Sequence, residues 1–497
     1  MSLGVPEIRD TAERLKSAIA AERYATKAGI KERSAFGQLY EEHRLLRDPE
    51  VLPALQRAMA EATGEERRRL GWLLSWVADQ RVEAQLAPLE DQLRTWESSA
   101  TVRVGPSLLP WRRVPARVAQ TLDRSERLAW EEAYNERLED AAALQLDILY
   151  REREAIGELG FGNYVEARER LAGINIRGLS RDAVRILSRT EDAYRKGMEY
   201  HARTRLQIDP ATAARPDLLW LRRMPWVADR FGLPSMLAAI QKDLAQLGLP
   251  IDANGKIRLD LDIRPVKVTE SFSAALEVPG HVVLVAPRVG GWGDCESLLH
   301  EVGHVLHFAY TGAKLPFEHR VLGDPTVTET FALLFEGLVI DRGWVQQTTG
   351  LGGSDLEEYR RLAAFLKLAR LRLHAARLLY EPELASADRP GQMAPRYVEL
   401  LSGATGFAYD ARTYLEGVRR GFWVARQLRA WMLSAILHRV LLDRFDSEWY
   451  RNPAAGPFLA EILSAGQRED GGQLATQLGA DRLTPEPLLA NVAEWLD

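Results

Sequence analysis

LHEVGHVLHF, residues 299–308, places two histidines four positions apart with a glutamate directly after the first. A helix advances about 100° per residue, so His300 and His304 fall one turn apart on the same face, near enough for both imidazoles to reach one ion. Glu301 projects beside them. A hydrolytic zinc needs three protein ligands and an open position, so the stretch reads as His300 and His304 binding zinc while Glu301 takes a proton from a water. The rival reading is an amphipathic helix that happens to carry histidines. Five of the nine histidines, His281, His300, His304, His307 and His319, fall within residues 281–319. Scattered surface histidines would not cluster in this way, and the metal reading is preferred. His307 lies on nearly the same face, three residues after His304. The familiar glutamate position is filled only in the 300/304 pairing, which leaves His307 behind the ligands or as a satisfied core histidine.

A third ligand must arrive from another element, and DPTVTETFALLFEGLVI, residues 324–340, offers one. Asp324 suits a helix cap, Pro325 suits the first helical position, and Gly337 does not forbid continuation. Val327, Phe331, Leu334 and Leu338 form an apolar stripe, with Glu329 and Glu336 a heptad apart on the other side. Alone, such glutamates would face water. With a two-histidine site upstream that lacks an oxygen ligand, Glu329 is the expected third ligand, and Glu336 is either a group behind the ligands or a solvated side chain.

The chain around these stretches has 497 residues, 46% hydrophobic and 27% charged, a composition able to bury a sizeable core. A net charge of −5 gives no argument for nucleic acid, and basic runs such as Glu66-Arg67-Arg68-Arg69 sit beside acids as solvated helix faces do. The start MSLGVPEIRD lacks a basic segment followed by an apolar core, and no window approaches a membrane span, so a cytoplasmic protein is expected. The single cysteine, Cys295, fits a reducing compartment and leaves any metal to nitrogen and oxygen ligands.

Helical periodicity dominates to about residue 205, as in Leu128 to Ile156, and Pro and Gly punctuation places a boundary near residue 210. The expected division is a helical region, 1–210, and a zinc-site region, 211–497. Alternation between Lys256 and Val268 predicts a half-buried strand, with Ile257, Leu259, Leu261 and Ile263 on the inward side and Arg258, Asp260, Asp262 and Arg264 on the outward one. Pro265 suits an edge or an end. His281–Val285 predicts a second strand ahead of the histidine helix.

HEVGHVLH, followed 25 residues after His304 by Glu329, Ala332 and Glu336, resembles the thimet oligopeptidase and oligoendopeptidase F family of zinc peptidases. GFWVARQLRAWMLSAIL (421–437) and LSAGQREDGGQLATQLGADRLTPEPL (463–488) are similar to that family's tail. The resemblance covers the second half well and the first half only in helical character. It implies a mainly α fold, a large helical ellipsoid with a deep channel between the two regions and a small β-sheet next to the zinc helix. One zinc per chain and short peptides as partners follow, with no role for nucleic acid or membrane. Two departures stand out. Ala332 replaces a usual serine, a packing change, and Trp423 and Gln427 stand where tyrosines would supply hydrogen bonds to the substrate carbonyl. Tyr409 and Tyr414 lie just upstream, either as that donor or as packing residues.

The mechanism expected is metal-assisted hydrolysis of internal peptide bonds, with zinc on His300, His304 and Glu329 and with Glu301 as general base and then acid. The strand around 257–263, or the run 281–285, would pair with an extended substrate. A metallocarboxypeptidase remains an alternative, lowered by the missing histidine-glutamate-serine-glutamine sequence near Glu329. A peptide-binding protein with a vestigial zinc site is the other, opposed by intact His300, Glu301 and His304.

Overall fold

The computed structural model describes residues 4–264, 266–286 and 290–496. Among the described residues the chain is mainly α, with two small sheets. It divides into two compact units, each built from separated segments: Met1–Ala84, Asp229–Leu356 and Arg429–Leu488 form one, and Gln85–Ala228, Glu357–Leu428 and Leu489–Asp497 the other. Position 210 lies inside the second unit, so the units cut across the expected division at that point. Among the described residues no helix is long and apolar enough to cross a membrane.

In the first unit a three-stranded sheet leads into the histidine helix. Its strands are Ile257–Asp260, Phe272–Glu277 and His281–Val285, and the last lies in the middle, parallel to the first and antiparallel to the second. Val282, Val283, Leu284 and Val285 are all fully buried, as a central strand covered on both faces requires. Helix Val5–Lys27 backs this sheet, where Tyr24 and Ala28 pack with Phe272, Ala274, Val283 and Val285.

The first strand is shorter than its alternation predicts. Leu261 and Ile263 are exposed, at 51% and 69%, and Asp260, expected outward, is buried. The reason is electrostatic. Asp260 accepts hydrogen bonds from Tyr24, Arg264 and Lys267, and these three partners hold its carboxyl at about 2 against the cost of burial. Capturing that carboxylate ends the strand at Asp260. Pro265 lies outside the described residues.

Helix Trp292–Tyr310 follows, its inner face made of Leu298, Leu299, Val302, Val305, Leu306 and Ala309. Helix Pro325–Glu336 packs against it. Asp324 caps the second helix by accepting the Thr326 amide, and it also accepts the Gly471 amide and pairs with Arg429 at 3.1 Å. These partners hold its carboxyl below the usual range although burial opposes them. The helix tightens into a 3-10 turn at Gly337–Ile340 rather than continuing unchanged. Every residue from Thr326 to Glu336 is buried, so this helix has no solvent face. It is a central strut, not the amphipathic surface helix its stripe describes.

The second unit contains helix Arg124–Gly157, capped by Asp123, and helix Ile176–His201, capped by Asn175. A hairpin pairs Thr101–Val104 with Ser107–Pro110. The long helical segments expected before residue 205 are present.

Candidate metal centre

The two helices of the first unit cross closely because one position has no side chain. A Cβ built on Gly303 would lie 2.3 Å from the Phe331 carbonyl oxygen and 2.5 Å from the Ala332 Cα, so only glycine permits this separation. Ala332, fully buried at the same crossing, is small for the same reason. The close approach brings Glu329 over the histidines of the facing helix.

His300 Nε2 lies 3.5 Å from one Glu329 oxygen and His304 Nε2 lies 3.6 Å from the other. One donor atom from each of the three residues falls within 4.8 Å of the other two. The imidazoles are 4.9 Å apart between centroids and 80° to each other, two rings aimed at a common point rather than stacked. Each turns its other nitrogen outward to a partner: His300 Nδ1 to Glu336 Oε2 at 3.1 Å, and His304 Nδ1 to Thr328 Oγ1 at 2.9 Å. Both Nε2 atoms therefore face Glu329. Two imidazole nitrogens and a carboxylate, braced from behind, form a donor set that fits zinc.

The electrostatics agree with a place for a cation. Burial would lower the His300 pKa, but the Glu336 hydrogen bond and the charges of Glu336, Glu329 and Glu301 outweigh it and push the ring up to about 9. His304 is driven down to about 4 by burial, which outweighs the upward pull of Glu301, with a smaller lowering from its neighbour His300. The carboxylates thus concentrate negative charge around the two rings, one of which holds a proton that a divalent cation would displace. Glu301, next to His300 on the same helix, is only half-buried.

The other histidines do not join this group. His307 is fully buried, stacks on Phe331 at 5.1 Å, and donates from Nε2 to the Gly466 carbonyl at 3.1 Å. Burial holds its pKa down to about 4, so it is a neutral core histidine that ties the helix to a later loop. His319 is fully buried on helix Phe317–Val321, and His281 begins the central strand on its exposed side. Glu329 and Glu336 are both buried, at 4% and 1%, and neither is a solvated side chain. Tyr409 and Tyr414 belong to the second unit, in an apolar cluster with Tyr380, Tyr397, Leu401 and Leu415, the packing environment of the blander reading. Thr328 was missed. Its only sequence signal is adjacency to Glu329, and threonine is ordinary in a buried helix.

No protein-family model matches the sequence, and no curated protein sequence matches it either. Solved structures do match in fold. A protein assigned as oligoendopeptidase F from Bacillus anthracis str. Ames superimposes with a TM-score of 0.65 at 13% identity, over 100% of this chain and 96% of that one. The M32 carboxypeptidase of Deinococcus radiodurans R1 gives 0.63 at 15% identity, over 99% of each chain. A Pyrococcus furiosus carboxypeptidase gives 0.61 at 14% identity, over 100% of each. Such likeness establishes the fold, which this chain shares with metallopeptidases along its whole length.

Proposed function

We propose that this protein is a zinc-dependent peptidase that hydrolyses internal bonds of short peptides. The observation that carries the reading is the convergence of His300, His304 and Glu329, one donor atom each within 4.8 Å, beside Glu301. A zinc held by those three residues would supply the positive charge that polarises a scissile carbonyl and acidifies a water. Glu301 takes up the water proton at its carboxylate and delivers it to the leaving amine. Glu336 holds the His300 imidazole in orientation. An extended substrate adds to an outer strand of the sheet, Ile257–Asp260 or Phe272–Glu277, because the run 281–285 is paired on both sides and offers no edge.

The lone cysteine is buried and free, in keeping with a reducing cytoplasm. Trimming of single C-terminal residues is the second reading, favoured by the carboxypeptidase folds among the matching structures and disfavoured by Thr328-Glu329-Thr330-Phe331 in place of the histidine-glutamate-serine-glutamine sequence. Zinc-loaded protein incubated with a mixed peptide library separates these readings by mass spectrometry. Internal cuts are expected. Single-residue ladders would replace the endopeptidase reading, and intact peptides would leave a binding protein.

A further inference from the structure

The two histidines of the candidate centre are braced by chemically different groups. Behind His300 stands a carboxylate, Glu336; behind His304 stands a hydroxyl, Thr328. An imidazole that offers its Nε2 lone pair to a cation must carry its proton on Nδ1, so the group at Nδ1 has to accept a hydrogen bond. An ionised carboxylate can only accept. A hydroxyl can accept or donate, and which it does decides whether His304 presents a lone pair or an N–H toward Glu329.

The local structure shows that this hydroxyl is used differently from its neighbour's. Thr330, two residues on, donates to the Thr326 carbonyl at 2.8 Å, the common use of a threonine inside a helix. Thr328 Oγ1 is turned instead toward His304, in a contact buried from solvent, with Thr328 at 6% and His304 at 8% exposure. Thr328 also directly precedes Glu329, so one short stretch of one helix faces both the metal side and the back of the histidine pair. Its position on that helix is fixed by the Gly303 crossing and by the Asp324 cap.

We propose that Thr328 is a positioning residue of the metal centre, accepting the Nδ1–H of His304 and so fixing both the tautomer and the rotation of that ring. The inference rests on reading His300, His304 and Glu329 as metal ligands. It makes seating of the second imidazole depend on the helix that delivers the third ligand. It also leaves His304 with an uncharged brace, so the centre gains no second carboxylate behind its ligands and less of the cation's charge is neutralised.

The test uses the full-length protein stripped of metal by chelation and reloaded with zinc or cobalt alone. Thr328→Val keeps the β-branched shape and removes the hydroxyl; Thr328→Ser keeps the hydroxyl. Zinc affinity by competition with a chromophoric chelator should weaken roughly 10–100-fold in Thr328→Val, the usual cost of losing such a partner, and recover in Thr328→Ser. The ligand-field spectrum of the cobalt form should change in the valine variant and match the parent in the serine variant, which a purely structural defect would not produce. Parent-like zinc affinity and cobalt spectrum in Thr328→Val would overturn the inference, as would equal losses in both variants. If the valine protein does not fold by circular dichroism, Thr328→Ala is measured against Thr328→Ser by the same two readouts. A parent protein that binds no zinc would instead overturn the metal reading itself.

Discussion

Gly303→Ala is the substitution that tests the geometry most directly. Two effects oppose each other. Alanine favours helix over glycine by about 1 kcal/mol, which would stabilise the protein. Against this, the new Cβ would meet the Phe331 carbonyl oxygen at 2.3 Å and the Phe331 carbonyl carbon at 2.5 Å, both backbone atoms with no rotamer to change. Ordinary contact begins at 3.4 Å, so the helices must part by about 1 Å, an overpacking that typically costs about 1–3 kcal/mol. The clash wins. The same displacement acts on the candidate centre, where His300 Nε2 and a Glu329 oxygen are 3.5 Å apart. Ligands at roughly 2.0–2.2 Å around a tetrahedral ion stand about 3.4 Å from each other, close to that separation. Adding about 1 Å would exceed what one ion can span without distortion. Gly303→Ala should therefore lower the melting temperature of the metal-free protein and weaken zinc binding by at least about 100-fold, since second-sphere changes alone reach that size. Melting by circular dichroism and zinc titration by calorimetry measure both. A variant that melts higher than the parent and binds zinc equally well would refute the argument.

Glu301→Gln should keep zinc and fold yet lose turnover by several orders of magnitude, because an amide cannot take the water proton; near-parent activity would remove Glu301 from the base role. Zinc content of Glu329→Ala should fall sharply, and an undiminished content would mean that another residue completes the site. Tyr414→Phe should lower kcat roughly tenfold to a thousandfold with KM unchanged if it donates to the substrate carbonyl, whereas an unaltered kcat assigns it to packing. His201, fully buried against Phe365 and Tyr200, is pushed down to about 4 by burial and by Arg205. Its folded pKa lies below its unfolded one, so its contribution is intact above about pH 6.5 and is lost as pH falls toward 4, by up to about 3 kcal/mol. Urea midpoints at pH 7.5 and 5 should therefore converge in His201→Phe relative to the parent; identical pH slopes in the two proteins would sink this reasoning.

The part of the candidate centre that was legible depended on short-range periodicity. His300 and His304 lie on one face because a helix puts them there, and Glu329 was recognisable because its helix had a cap and a proline at its start. The crossing that joins the two helices was not legible: the small side of Gly303 has meaning only beside Phe331 and Ala332, which are distant in sequence. Thr328 escaped for the same reason. Alternation correctly found a strand at Ile257 but carried it too far, since a period of two says nothing about Tyr24, some two hundred residues earlier, reaching Asp260. The run 281–285 was legible as a strand, while its central place depended on which neighbours paired with it. Division into units was hidden in a similar way, because each unit gathers segments that are far apart along the chain.

The segment 464–471 ties together the histidine helix, the short helix Phe317–Val321 and the cap of the Glu329 helix. Ser464 accepts the Gly312 amide, Gly466 accepts from His307, Gln467 donates to the His319 carbonyl, and Gly471 donates to the Asp324 cap. On the ribosome these partners emerge more than a hundred residues after Glu329. A nascent chain therefore carries all three candidate ligands long before it can lock the helices that present them. If the proposed centre holds a metal, secure capture becomes an event of late synthesis, and a half-made chain is spared the activity proposed for it.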